Sequence, residues 1–300
     1  MFAIPRLLLR QLLTDRGALP GTLQSIGLAV RFGVRNRVSR RSVVGDGPVD
    51  VCVTTFGDRT ATAYLALESV GSGDVRPRRL ILWIDEPEVL AHPPATLRRL
   101  RRRGMEIAPC ENWGPHKKQY PYVVSEGSGT VPFATADDDT FYPSGWLSEL
   151  VDAAHRSPAD VHGHRAHRVV AQDGAIAPYA RWAAESSDRP GFATLCTGVA
   201  GILFPPAMVT ALREAGTGFL DVAPRADDVW VHAVAVRSGI RAAQVGPVPR
   251  DFPQVLRRVP GSLYAENVVG DGNDRQLAAA LTGEALARVL VDAEKREIDD

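Results

Sequence analysis

From Val49 onward the chain alternates short apolar, β-branched runs with helical patterns, and this alternation narrows the available folds more than any other feature. Val49–Thr55 (VDVCVTT) reads as a buried strand. A turn at Phe56-Gly57-Asp58 follows, then a helical pattern over Ala61–Val70. Arg79–Ile84 (RLILWI) is a second strand, ending at Asp85. Pro94–Arg103 suits a helix, with proline in its first turn and Gly104 to stop it. Met105–Ala108 offers a third strand. Thr130–Ala136 (TVPFATA) offers a fourth, which runs straight into Asp137-Asp138-Asp139, and Pro143 opens a helix to about His155. Apolar strands separated by helices predict an α/β fold, a mostly parallel sheet flanked by helices on both faces.

The second half is more mixed. Val161–Val170 reads as a strand, Asp173-Gly174 as a turn, and Gly198–Phe204 as an apolar run before Pro205-Pro206. Ala226–Val236 reads as a helix ended by Gly239, and Gln276–Val291 as a longer amphipathic helix. Polar stretches near 112–129, 172–194 and 244–275 exceed ordinary connection lengths and read as substrate-binding loops. The simplest partition is a basic N-terminal extension, residues 1–45, and one catalytic domain, residues 46–300.

Balanced totals of 35 basic and 35 acidic residues give no global charge excess to recruit nucleic acid. The balance hides an asymmetry. Residues 1–41 hold eight arginines and one acid, Asp15, for a charge of +7, so the remainder carries −7. Met1–Leu13 and Leu23–Val38 are basic and amphipathic. Such helices lie on anionic membranes, and equally serve as arms packed on a domain with their arginines in water. No apolar stretch reaches the roughly 18 residues of a spanning helix, and Arg6 and Arg10 interrupt the leucines where a signal peptide needs a continuous apolar run. Cys52, Cys110 and Cys196 are odd in number and widely spaced, which reads as reduced thiols in a cytoplasmic protein.

The acidic triplet is the sharpest chemical feature. Adjacent carboxylates repel unless a cation neutralises them, and the carboxyl end of a parallel strand is where open α/β sheets bind ligands. Asp137 and Asp139, with phosphate oxygens and water, would make a hard-oxygen site for Mn²⁺ or Mg²⁺. The alternative is a solvated turn capping the next helix. Asp227-Asp228-Val229-Trp230 opens a helix, where one acid caps favourably. The second, Asp228, beside the flat ring of Trp230, reads as a base next to a surface on which a sugar stacks. Lys117 lies in a polar loop that holds two of the three lysines and is a compact partner for diphosphate oxygens. His162 and His164 would share a strand face, but no Cys or carboxylate completes a tetrahedral set with them. Gly198 and Gly201 either let an acceptor approach the backbone or permit a tight bend.

TVPFATADDD, followed by Tyr142 and a helix, resembles the metal-binding DXD segment of GT-A-fold nucleotide-sugar glycosyltransferases of the family-2 type. VDVCVTTFGDR resembles their first strand and nucleotide-cradling loop, which implies donor contacts from Thr54, Thr55, Phe56 and Arg59 as well as Asp137 and Asp138. LILWIDEPE resembles the second strand, whose terminal acid, here Asp85, contacts the base. ADDVWVHAVAVRSG resembles the acidic pair near the acceptor site that carries the catalytic base, which implies Asp228 as that base with Asp227 as its catalytic neighbour; His232, four residues after Asp228, would be an extra metal ligand. The second strand lacks a DDGSTD-like run and no QxxRW motif follows the acidic pair, which points away from processive synthesis. The expected activity is metal-dependent, inverting hexosyl transfer from a nucleoside-diphosphate sugar to a glycan or lipid-linked hydroxyl of the cell envelope. The expected place is the cytoplasm, or the inner face of the plasma membrane through the basic extension. The rivals are a nucleotidyltransferase of similar fold and a non-catalytic sugar-nucleotide or glycan-binding module.

Overall fold

The apolar runs read as strands lie side by side in one buried sheet. The structure is a computed structural model and describes residues 19–125, 129, 131–256 and 271–299; the expected helix over Met1–Leu13 lies outside them. The strands are β1 (Asp50–Thr54), β2 (Arg79–Ile84), β3 (Glu106–Pro109), β4 (Phe133–Ala136), β5 (Val161–Gly163), β6 (Ala166–Arg168), β7 (Ala171–Gln172), β8 (Ala175–Ile176), β9 (Thr194–Cys196), β10 (Ile202–Phe204) and β11 (Ala242–Gln244). The helices are α1 (Leu19–Val38), α2 (Tyr64–Val70), α3 (Pro87–Ala91), α4 (Ala95–Arg101), α5 (Tyr120–Val124) and α6 (Trp146–Arg156). They continue with α7 (Pro206–Ala215), α8 (Phe219–Val222), α9 (Asp227–Arg237), α10 (Gly272–Ala280) and α11 (Gly283–Asp299).

Seven strands form the main sheet in the order β11-β5-β10-β4-β1-β2-β3. All its pairings are parallel except those of β10, which runs antiparallel to both β4 and β5. Successive side chains of a strand point to opposite faces, and both faces here are covered. Val51, Val53, Leu80, Leu82 and Ala134 join Leu67, Leu97 and Leu147 in one core; Cys52, Ile81, Trp83 and Phe133 join Met208, Val229 and Val234 in the other. After β3 the chain crosses back to place β4 on the far side of β1. Connections therefore leave β1 and β4 toward opposite sides, which opens a crevice at their carboxyl ends.

Helix α1 is docked on this body. Phe32 stacks on Phe141 at 5.8 Å, and the wholly buried Glu68 of α2 accepts hydrogen bonds from Asn36 at 3.0 Å, Arg35 at 3.2 Å and Arg103. A buried carboxylate is tolerated only when paired in this way. At the other end of the chain Arg296 of α11 reaches the buried Glu185, which also pairs with Arg168.

Two expectations need correction. Val161–Val170 is not one strand: β5 ends at Gly163, and β6 leaves the main sheet to pair with β9. A Cβ at Gly163 would lie 2.9 Å from Cys196, so the chain turns where only glycine fits. His162 and His164 consequently do not share a strand face; each bonds a backbone carbonyl, of Ser157 and Trp146 respectively. The long helix over Gln276–Val291 is two helices, because Leu281 is extended and Gly283 has φ +56°.

Replacing Glu68 with alanine leaves the Arg103 guanidinium buried without its carboxylate. We expect a loss of about 3–5 kcal/mol, read by urea denaturation, with α1 losing protection in hydrogen exchange.

Candidate functional site

Burial alternates through the acidic triplet, with Asp137 and Asp139 partly exposed and Asp138 buried. The alternation continues the strand period for three residues beyond β4. Asp138 turns inward. Its Oδ2 accepts the Thr55 hydroxyl at 2.6 Å, and both oxygens accept the Arg59 Nε–H, at 2.9 and 3.0 Å. Arg59 also donates to Asp139 Oδ2 at 2.9 Å. Burial works against the guanidinium charge, but Asp138, Asp139 and Asp137 outweigh it and raise the Arg59 pKa. Thr55 and Arg59 follow β1 and the triplet follows β4, so these bonds cross the mouth of the crevice.

The turn Gly114–Lys118 supplies two ammonium groups. Lys117 donates to Asp85 at 2.5 Å. Lys118 bridges two segments, with Asp137 Oδ1 at 3.0 Å and Asp227 Oδ2 at 3.1 Å. Burial opposes its charge, yet Asp137, Asp227 and Asp228 hold its pKa well above the ordinary value. The turn is pinned from behind by His116, whose ring stacks on Phe219 at 4.1 Å and whose Nε2 lies 2.8 Å from the Ala223 carbonyl. Burial pulls the His116 pKa down to about 4, so at neutral pH the ring is uncharged and its Nε2–H donates to that carbonyl.

Helix α9 begins at Asp227, with Ala226 as the residue before its first turn and both acids inside that turn. Asp227 faces Lys118, whereas Asp228 Oδ2 accepts the Gly198 N–H at 3.2 Å. Burial, then the charge of Asp227, raises the Asp228 pKa to about 6; burial likewise raises that of Asp227. Gly198 belongs here, since a Cβ on it would meet Lys118 Nζ at 2.8 Å. Gly201 does not. It has φ +92° and leaves room for the Trp146 indole, which a Cβ would meet at 2.6 Å, so it serves the bend into β10.

Other expected residues lie elsewhere. Thr54 donates sideways to the Trp83 carbonyl at 3.1 Å, whereas Thr55 reaches the triplet. Phe56 is 54% exposed, with Arg59 and Lys117 over its ring at 5.3 and 5.6 Å. Trp230, expected as an acceptor platform, is 4% exposed and packs edge-on against Phe219, so it offers no open ring face. His232, expected as a metal ligand, lines a small pocket with Asp228, Cys196 and Phe204; neither Asp137 nor Asp139 lines it. Among the described residues no group of three His, Cys, Asp or Glu is placed to hold a metal ion. Four contributors were assigned no role from the sequence: Lys118, His116, Glu86, which accepts the Gly57 N–H at 3.0 Å, and Tyr142, whose hydroxyl accepts the Asp137 N–H at 2.7 Å. Their proximity in sequence to Lys117, Asp85 and the triplet was the available signal.

No protein family matches the chain by sequence, and no curated protein does. Solved structures match its fold. A mannosyltransferase from Pyrobaculum calidifontis, solved with GDP-Man and Mn²⁺, superposes with a TM-score of 0.51 at 14% identity over 92% of this chain and 79% of that one. Residues 1–349 of Staphylococcus aureus TarS with UDP-GlcNAc give 0.49 at 13% identity, over 84% and 72%. A CMP-2-keto-3-deoxy-manno-octonic acid synthetase with CTP gives 0.39 at 10%, over 66% and 89%. The first likeness is one of fold, and with the sheet order it shows this chain to have the expected GT-A-like, Rossmann-like architecture.

Lys118→Met removes one cation from both Asp137 and Asp227. The Asp227–Asp228 pair should then titrate about one unit or more higher, followed by side-chain carboxyl ¹³C shifts against pH. An unmoved titration would mean that Lys118 does not set the charge of this pair.

Proposed function

We propose that the chain transfers a hexose from a nucleoside-diphosphate sugar to a hydroxyl acceptor. One observation carries this reading: Lys118 ties Asp137, at the strand end, to Asp227, at the start of α9, and so sets Asp228 beside the crevice. A donor site and a base need to be this close for one displacement.

Each residue then has a role. The exposed ring of Phe56 offers the nucleobase a flat surface, with Asp85 and Lys117 as polar neighbours. Lys117, Lys118 and Arg59 surround the place where diphosphate charge grows as the bond to the sugar breaks, and fixed cations in a partly desolvated site stabilise such charge. Asp137 and Asp139, hard oxygen donors whose side chains are 24% and 22% exposed, fit a divalent cation as two of its ligands, the rest falling to phosphate oxygens and water. When bound, Mn²⁺ or Mg²⁺ would supply Lewis-acid neutralisation of the departing diphosphate. Asp138 holds Thr55 and Arg59 in place.

At the other side, Asp228 accepts the proton of the acceptor hydroxyl. The oxygen attacks the anomeric carbon, the bond from that carbon to the diphosphate breaks, and the nucleoside diphosphate leaves. A single displacement inverts the anomeric centre. The acceptor is a glycan or lipid-linked hydroxyl, and the activity belongs to the cytoplasmic side of the cell envelope.

A panel of nucleoside-diphosphate sugars, scored for nucleoside diphosphate release and for transfer, tests the reading. Pyrophosphate release from a nucleoside triphosphate would instead make it a nucleotidyltransferase. Asp228→Asn should lower transfer by about a hundred- to ten-thousand-fold with nucleotide affinity unchanged; equal turnover would remove Asp228 as the base. The wild-type rate should rise with pH through about 6, because the base works only when ionised and burial has lifted its pKa to that range. A rate that falls across this range would contradict the assignment. Asp139→Ala should remove most of the Mn²⁺ dependence of nucleotide binding measured by calorimetry, whereas an unchanged dependence would place the cation elsewhere.

A further inference from the structure

Helix α1 is apolar on its outer side. Leu23, Val30, Val34 and Val38 are 61, 60, 53 and 70% exposed, and steps of four and seven residues return them to one stripe. The opposite side is fixed to the body by Phe32 on Phe141 and by Asn36 and Arg35 on Glu68, so the stripe faces out in a defined rotation. Exposed Arg31 and Arg37 flank it, with Arg40 and Arg41 just beyond its end, and no acidic residue occurs between Leu19 and Gly45. No helix among the described residues is long and apolar enough to cross a membrane.

We propose that the outer stripe of α1 rests on an anionic lipid surface, with the leucine and valines at the acyl boundary and Arg31, Arg37, Arg40 and Arg41 on phosphate headgroups. Charge complementarity selects this occupant. A second copy of the chain would bring the same arginines against one another, whereas an anionic interface satisfies both the apolar stripe and its basic borders. The opposite, docked side of α1 lies near the acids. Phe141, on which Phe32 stacks, comes two residues after Asp139, and the Val255 N–H on the same small core donates to the Asp139 carbonyl at 2.6 Å. On the transferase reading, a membrane-seated α1 holds the crevice beside the bilayer, where a lipid-linked acceptor is presented.

The test uses the full chain and vesicle sedimentation, which reads no transfer and so fails or succeeds apart from the catalytic assignment. Phosphatidylglycerol-containing vesicles should bind the wild type, pure phosphatidylcholine vesicles much less, and added salt should weaken binding. Arg31→Gln with Arg37→Gln should cost roughly fivefold per arginine. Val30→Gln with Val34→Gln should cost at least about tenfold at an unchanged melting temperature, since both side chains are already in water. No binding by the wild type overturns the proposal. So does unchanged binding by both double variants, which would move any membrane contact to another segment. Conversion of a dimer to a monomer by the valine changes, with vesicle binding intact, would make the stripe an interface between copies and overturn it as well.

Discussion

A buried ammonium is costly to desolvate, and the candidate site is organised around one. Lys118 is 8% exposed and keeps its charge only because Asp137 and Asp227 lie within 3.1 Å. Those carboxylates are themselves crowded by acids, and Asp228 beside Asp227 is already pushed up to about 6. The lysine and the acids therefore depend on each other. They come from three segments distant in sequence: the turn before α5, the end of β4 and the start of α9. Each segment has a further anchor, with His116 behind the turn, the Tyr142 hydroxyl on the Asp137 N–H, and the Gly198 N–H on Asp228. With the ammonium removed, the geometry that brings Asp137, Asp227 and Asp228 together would lose its common point.

The sheet explains why the acids can gather at all. β1 and β4 are buried on both faces, and their one charge, Asp50 at the start of β1, is held by Arg78 and the Tyr122 hydroxyl. The apolar run Phe133–Ala136 ends where the crevice opens, and charge begins at the next residue. Because strand alternation persists into the triplet, one acid turns into the protein and two turn toward the opening. The triplet is thus one inward carboxylate between two at the opening, which pair with Lys118 and Arg59. Asp138 joins Thr55 and Arg59 across the order reversal of the sheet, and this cross-tie closes the protein side of the crevice, with Asp137 and Asp139 at its opening.

What the sequence made legible follows from the same physics. β1, β2, β4 and the opening of α9 were readable because each is a short, nearly continuous apolar run or a helical pattern bounded by glycine, proline or acids. The partnership of Lys118 with Asp137 and Asp227 was not, since nothing local distinguishes a buried lysine from a solvated one when its partners lie 19 and more residues away. Val161–Val170 misled because its composition suits a strand throughout, while the turn after Gly163 is dictated by Cys196 from β9. Trp230 misled for a similar reason. An aromatic beside two acids suggests a platform, but its position on α9 points it into the core at Phe219. Local pattern reports the element; which side of it becomes the site is decided by distant packing.

The division of labour between arginine and lysine is the clearest sign of that packing. Arginines make the structural pairs. Arg78 binds Asp50 through Nε and a terminal nitrogen at 2.8 and 2.7 Å, Arg79 binds Glu106 in the same manner, and Arg103 and Arg296 secure the buried Glu68 and Glu185. A planar fork suits one carboxylate held in its plane. Lys118 instead stands between two carboxylates from different segments, approached from different directions, with the Gly198 backbone close behind. An ammonium presents three donors around a point and so suits acids contributed by two segments, whereas a guanidinium fork is more directional. Two of the chain's three lysines lie in this turn, and both are buried against carboxylates. On the proposed transferase reading, the same compact charge, with rotatable donors, would pass its hydrogen bond from Asp137 to an arriving phosphate oxygen while the backbone that holds Asp227 and Asp228 stays in place.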